Sequence, residues 1–195
     1  MKKILYSVAL AACCMGTMTS CSDFLDASNK SNVTDKQTFA TKDGFNSLVN
    51  DAYQHLQNVY AAPLFTSCFS AGTDMYADAR NKMNEALNTY ETLTPENTDI
   101  KNLYTYLYAG IRAANSVSYY AQTAQVDDKT KGQLVGEARV LAAYEYYLLV
   151  NNFGGVPIMK DFLTTAGTGY PKSSAEDVYA YIISELEDVI SKNVL

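Results

Sequence analysis

The chain contains no tryptophan, one histidine and four prolines in 195 residues. The single histidine, His55, cannot build a histidine-based metal cluster, so neither a cofactor nor a metal is expected. There is no glycine-rich phosphate loop of the dinucleotide or Walker type, which removes those classes of nucleotide chemistry. Charge is sparse, at 18% of residues, and the formal net charge is −6. An acidic chain has no general attraction for phosphate backbones, which argues against nucleic acid as a partner. Cysteine is scarce as well, with four in all, and Cys13, Cys14 and Cys21 fall near the start of the chain. Cys68 stands alone in the remainder, so no internal disulfide is expected in the mature protein.

What is present is an apolar content of 48%, which marks a globular chain rather than a disordered one, and a length sufficient for one domain with a real core. Tyrosine is abundant, with 16 residues. A tyrosine buries its ring and keeps a polar tip, which suits helix–helix seams as well as surfaces that contact sugars, proteins or headgroups.

Residues 1–20 read as a secretory signal. Lys2 and Lys3 form a basic start, Ile4 to Ala12 an apolar segment, and Met18-Thr19-Ser20 lead into Cys21. A cysteine directly after small residues looks like a bacterial lipobox, in which the thiol is acylated and the signal is cut before it. Cys13 also has small neighbours, but it would leave a very short apolar segment. Lipidation is therefore placed at Cys21, where several acyl chains, at roughly 0.8 kcal/mol per buried CH₂, would anchor the protein without a spanning helix. Removing Lys2 and Lys3 from the 15 basic residues leaves 13 against 21 acidic ones, a mature charge of −8. Residues 21–40 are polar and weakly periodic and read as a lipid-anchored tether.

Residues 41–195 read as all-α. Thr41 caps a helix from about Lys42 to Tyr60, with Phe45, Leu48, Val49, Ala52, Leu56 and Val59 on one face, and Pro63 ends it. Residues 64–100 form a long irregular excursion with a short helix near Asn84–Tyr90. A helix from about Asp99 to Gln122 carries Leu103, Leu107, Ile111, Ala114 and Val117 as its stripe. The central helix, from about Thr130 to Asn152, is apolar on nearly every side between Val140 and Val150, so it is buried or in a membrane. Glu145 in its middle, and a run short of the roughly 20 apolar residues a span needs, decide for buried. Ala138, Ala142 and Ala143 form a small face that lets another helix approach closely. Gly154 suits the C′ position, and Pro157 prevents continuation. Residues 154–172 are loop. Ser173-Ser174 followed by Glu176-Asp177 is a capping-box pattern opening a last helix through Val178, Ile182, Leu186, Val189 and Ile190, whose apolar face ends without a closing element.

Four stretches in order resemble one family, the SusD-like (RagB/SusD) outer-membrane nutrient-binding lipoproteins. They are Cys21-Ser22-Asp23-Phe24-Leu25-Asp26; Tyr108-Ala109-Gly110-Ile111-Arg112-Ala113-Ala114-Asn115; the run from Gly136 to Tyr144 together with Phe153-Gly154-Gly155-Val156-Pro157; and Ser173 to Leu186. The resemblance covers the N-terminal part of the family only. It implies tetratricopeptide-like helical hairpins, a palmitate-type anchor in the outer membrane and surface exposure. It also implies a non-enzymatic subunit that captures an oligosaccharide or other nutrient for a SusC-type TonB-dependent transporter. The alternative is a helical scaffold or truncated remnant that docks a partner without binding ligand. Two departures stand out: the family's usual Arg in the central segment is Ala142 here, and where its members often carry Trp this chain offers Tyr90 and Tyr104.

Candidate ligand residues lie in the excursion. Asp74, Tyr76, Asp78 and Arg80 cluster there, with Tyr90 and Tyr104 nearby in sequence. Aromatic faces pack on the C–H surfaces of sugars, while carboxylates and Arg bond the hydroxyls. Two enzymatic arrangements are formally available. Asp74 and Asp78 lie four apart, but nothing fixes them at the separation a glycosidase needs. Cys68 and His55 could form a nucleophile pair, but no motif surrounds either.

Overall fold

The computed structural model describes residues 35–61, 63–76, 85–165 and 167–192. The expected signal segment, and with it Cys21, lies outside the described residues. Every regular element among the described residues is helical. In order these are α1 (Asp35–Ala40), α2 (Lys42–Tyr60), a π-helical turn (Thr66–Ser70), α3 (Glu85–Thr89), α4 (Thr98–Tyr120), α5 (Asp128–Phe153) and α6 (Ala175–Ser191). None of them is long and apolar enough to cross a membrane.

Each long helix starts on a side-chain cap that satisfies amide groups having no partner within the helix. Thr41 accepts from the Gly44 amide at 3.1 Å, and Asn97 accepts from Asp99 and Ile100 at 3.0 and 3.1 Å. Asp127 accepts from Thr130 at 2.9 Å. Ser174 and Asp177 form a reciprocal capping box at the start of α6. The stop of α5 is also as expected, with Gly154 at φ 70° and its amide bonded to the Val150 carbonyl.

Helices α2, α4, α5 and α6 pack as successive antiparallel neighbours, the tetratricopeptide-like arrangement of helical hairpins. The partners fix the directions. Tyr104 meets Phe153 while Gly110 meets Glu145, so α4 and α5 run oppositely. Arg139 bonds Glu185 and Asp188 while the Asn151 side-chain oxygen Oδ1 accepts from Tyr179, so α5 and α6 do too. Helix α2 runs alongside α5 in parallel, tied by Tyr53 donating to Glu137 at 2.6 Å and by a hydroxyl pair between Tyr60 and Tyr144. That Glu137 bond, followed by burial, pushes the Tyr53 hydroxyl up to about 12.

The core has two lobes. One joins Phe45, Leu48, Val49 and Ala52 of α2 to Ala113, Ala114 and Val117 of α4, with Ala138 and Ala142 of α5. The other joins Val59, Leu103, Leu107 and Ile111 to Tyr146, Leu149, Val178 and Ile182. The small face read from Ala138, Ala142 and Ala143 is buried throughout, as close helix approach requires. Among the described residues helix is already present at Asp35–Ala40, within the stretch read as tether. Helix α1 is too short to show a period, but the Phe39 ring packs at a tilt against Tyr120, with centroids 4.7 Å apart, and the Ala40 carbonyl accepts from the Gln125 amide.

Residues 156–165 and 167–173 form a strap rather than a loose loop. Tyr108 donates to the Pro157 carbonyl at 2.7 Å, and Asn115 donates to the Met159 carbonyl at 2.8 Å. The buried Tyr146 hydroxyl accepts from the Met159 amide at 2.6 Å. The Ser173 amide bonds the Val156 carbonyl and closes the strap at its far end. Phe162 lies against Tyr119 and Tyr120, with the Arg112 guanidinium 5.1 Å from its ring centre.

Candidate functional site

The described parts of the excursion between α2 and α4 hold more regular structure than its composition suggested. Pro63 lies between α2 and the π-helical turn, Ser67 donates back to the Pro63 carbonyl, and α3 supplies a further turn of helix. These pieces and the C-terminal end of α5 enclose a cleft of about 470 Å³. Its aromatic walls are Tyr90 and Phe153, its polar groups include Asn151 and Asn152, and its floor includes Leu103 and the Cys68 side chain.

Tyr90 is held in an unusual way. Its backbone adopts φ 63°, the left-handed region that costs roughly 1–2 kcal/mol for a side-chain-bearing residue. The ring is 59% exposed. Its hydroxyl lies directly over Gly72, itself at φ 75°, where any Cβ would collide with the ring. The Gly72 amide donates to the Asn88 side-chain oxygen at 3.2 Å and ties the turn at Gly72 to α3. A glycine is therefore required under Tyr90, and together they fix an aromatic face at the mouth of the cleft.

The asparagine amides are oriented by their own helix. Asn151 donates to the Tyr147 carbonyl at 2.6 Å and Asn152 to the Leu148 carbonyl at 2.8 Å. Tyr104 flanks the cleft rather than lining it: its ring sits 5.1 Å from Phe153, edge to face, and 4.8 Å from Tyr108. Burial, followed by the Asp99 carboxylate, pushes the Cys68 thiol up to about 11. That holds the thiol neutral at ordinary pH, the opposite of an activated nucleophile. His55 lines a different groove, between Asp51 and Phe162, so the formal Cys68–His55 pair shares no cavity.

Of the residues singled out from the sequence, the cleft gathers Tyr90, with Tyr104 beside it. Asp74 is exposed in the turn after Gly72, and Tyr76 is half-buried with its amide bonded to the Thr73 carbonyl at 3.3 Å. Asp78 and Arg80 lie outside the described residues. Sequence reasoning did not single out Asn151, Asn152 and Phe153 as site residues. A signal was nonetheless present, because two amides and a ring at the end of a buried helix must face an edge of the core.

Comparison with known proteins fits this architecture. The chain is 27% identical over 179 residues to a SusD-like protein, P38, of Formosa agariphila, an alignment covering 89% of this chain and 34% of that one. It superposes on surface glycan-binding protein A from Bacteroides uniformis with a TM-score of 0.67 at 25% identity, covering 78% of this chain and 35% of the other. A protein described as a laminarin-binding SusD-like protein shares the fold, with a TM-score of 0.65 at 18% identity, and covers 77% of this chain and 34% of its own. The chain spans about a third of the length of these relatives. The family model described as starch-binding and associating with the outer membrane matches residues 23–192, and the chain belongs to this SusD-like family.

Proposed function

We propose that this chain is the N-terminal helical part of a cell-surface lipoprotein that binds an oligosaccharide for a SusC-type, TonB-dependent outer-membrane transporter, and that it is not an enzyme. Membership of a family described by starch binding and outer-membrane association supports the reading, as does likeness to a surface glycan-binding protein. The observation that carries the site assignment is Tyr90, a strained and exposed aromatic residue mounted on Gly72 at the rim of a cleft with oriented amides. Backbone strain at an exposed aromatic residue is a device for presenting a face. A sugar ring stacks on such a face while amides bond its hydroxyls. Asp74 and Tyr76 belong to the turn that follows Gly72, and they are proposed as further ligand contacts together with Asp78 and Arg80, which follow them in sequence.

The test is affinity electrophoresis through gels containing laminarin, xyloglucan or starch, followed by calorimetry with the retained glycan. Retardation that is lost in Tyr90→Ala supports the cleft; retardation unchanged by that substitution removes it. Anchoring at Cys21 is tested separately, by metabolic labelling with an alkyne fatty acid. Label that persists in Cys21→Ser overturns the assignment.

A partner-docking reading is favoured by one specific feature. Tyr53, Tyr60, Tyr144 and Tyr147 are each about two-fifths exposed or more along the paired α2 and α5 surface, with Phe65 beside Tyr60. Tyrosine is enriched where proteins meet, because it buries area and keeps a hydrogen bond. Co-purification of a SusC-type transporter by the chain, abolished by charge substitutions at Tyr53 and Tyr147, would support docking. Co-purification unaffected by them would place docking elsewhere.

A further inference from the structure

A second concavity lies further along α4, beneath the strap, and shares no lining residue with the cleft beside Tyr90. Its volume is about 350 Å³, within the roughly 300–1,000 Å³ range of small-molecule pockets. The floor is apolar and is made by Ile111, Met159 and Leu163. Polar groups stand around it: Arg112 and Asn115 from α4, and Asp161, Thr164 and Thr165 from the strap. Tyr108 and Tyr170 close two sides.

Three observations show that the pocket is preformed. The strap is pinned at Pro157, at Met159 and at Val156–Ser173 by the hydrogen bonds described above. Phe162 is clamped between Arg112 and the Tyr119–Tyr120 pair. The Tyr170 hydroxyl folds back over Gly167, where a Cβ would collide with it. A pocket that is already built loses little on binding through ordering of its walls.

The lining defines a ligand class. Arg112 and Asp161 place one charge of each sign at the rim, so the site carries no net preference for an ion. A guanidinium stacked on a ring still presents N–H donors at its edge, and a carboxylate offers only acceptors. With the two threonine hydroxyls they form a ring of mixed donors and acceptors around an apolar floor. An uncharged pyranoside is complementary to that pattern: one C–H face rests on Ile111, Met159 and Leu163, and its hydroxyls meet both donors and acceptors. A hydrocarbon would strand the polar rim, and an anion would face Asp161. We propose that the strap pocket is a second carbohydrate site, sized for a mono- or disaccharide unit of a neutral glycan and independent of the Tyr90 cleft.

The experiment uses the whole chain labelled with ¹³C at its methionine methyls, because Met159 lies in the pocket floor. Maltotriose, laminaritriose and xylotriose are titrated in turn, and the Met159 methyl resonance is followed. The expected result is a saturable Met159 shift with at least one of them, retained in Tyr90→Ala. Asp161→Asn should weaken it about tenfold, and Thr164→Trp, which fills the mouth from an exposed position, should abolish it. A melting temperature unchanged in both variants confirms that they remain folded. A Met159 resonance unmoved by all three sugars overturns the strap site. If calorimetry then still finds Tyr90-dependent binding, the cleft stands alone; if it finds none, both sites fall. A shift of equal midpoint in Thr164→Trp likewise overturns the proposal.

Discussion

Gly110 of α4 and Glu145 of α5 meet in the middle of the helical core, with the carboxyl group packed where a Gly110 side chain would be. Glu145 is fully buried and neither of its oxygens has a hydrogen-bond partner. Burial alone drives its carboxyl well above the ordinary glutamate range, so the group is held as the neutral acid. Because the folded state keeps the proton and the unfolded chain releases it near pH 4.3, the folded state binds more protons at every pH between those two values. Stability is therefore fully present below the unfolded value and falls as pH rises toward the folded one. Glu145→Met keeps a similar volume and removes the unpaired polar group. It should stabilise the protein at pH 7 by about 1–3 kcal/mol and flatten this decline, as read from thermal melts between pH 4 and 8. A variant with the same pH profile as the wild type would contradict the assignment.

The same contact makes Gly110→Ala informative about sign. Alanine is favoured over glycine inside a helix by roughly 1 kcal/mol. Here, however, the added methyl must displace a buried carboxyl, and overpacking costs about 1–3 kcal/mol. The substitution should destabilise the wild type, while in a Glu145→Ala background, where the space is open, it should become neutral or stabilising. A double-mutant cycle by urea denaturation measures the reversal. Equal effects in both backgrounds would show that the two residues do not limit one another.

Helices α2, α4 and α6 were legible from a periodic stripe, with Thr41 and Ser174 marking two starts and Gly154 the stop of α5. Burial of α5 was legible from its all-round apolarity, but the state of Glu145 was not, since pattern alone does not say whether an acid finds a partner. Helix α1 was read as tether because six residues are too few to show a helical period. The strap was read as loop from its glycines and prolines. Its order comes from Tyr108, Asn115 and Tyr146, residues far away in sequence whose bonds leave no local trace. At the site, residue type pointed correctly to Tyr90, whereas its left-handed backbone and its seat on Gly72 depend on α3 and the π-helical turn meeting in space.

Tyr90 separates stability from binding. Replacement by glycine removes a ring that is mostly in solvent and relieves the left-handed backbone, which costs roughly 1–2 kcal/mol in a residue with a side chain. Tyr90→Gly should therefore melt at or above the wild-type temperature, while glycan affinity falls about tenfold, equivalent to about 1.4 kcal/mol. Calorimetry and thermal denaturation on one preparation give both values. A destabilised Tyr90→Gly with unchanged affinity would make Tyr90 a structural residue.

Cys68 reports on occupancy of the same cleft. Burial and then Asp99 push its thiol up to about 11. The reactive species toward iodoacetamide is the thiolate. At pH 7.5 about one thiol in three thousand is ionised if the group titrates at 11. Alkylation of the folded protein should consequently be slow, rise about tenfold for each pH unit up to pH 10, and become fast in urea, where the thiol returns to its ordinary value near 8.5. Since Cys68 lines the cleft with Tyr90 and Asn152, a saturating glycan bound there should slow alkylation further by excluding the reagent. Peptide mapping by mass spectrometry isolates this cysteine from those near the N-terminus. Rapid alkylation at pH 7.5 would mean the thiol is not buried as described. Protection absent under saturating glycan would place the bound sugar away from this cleft, and the strap pocket would then be the site to examine through Met159.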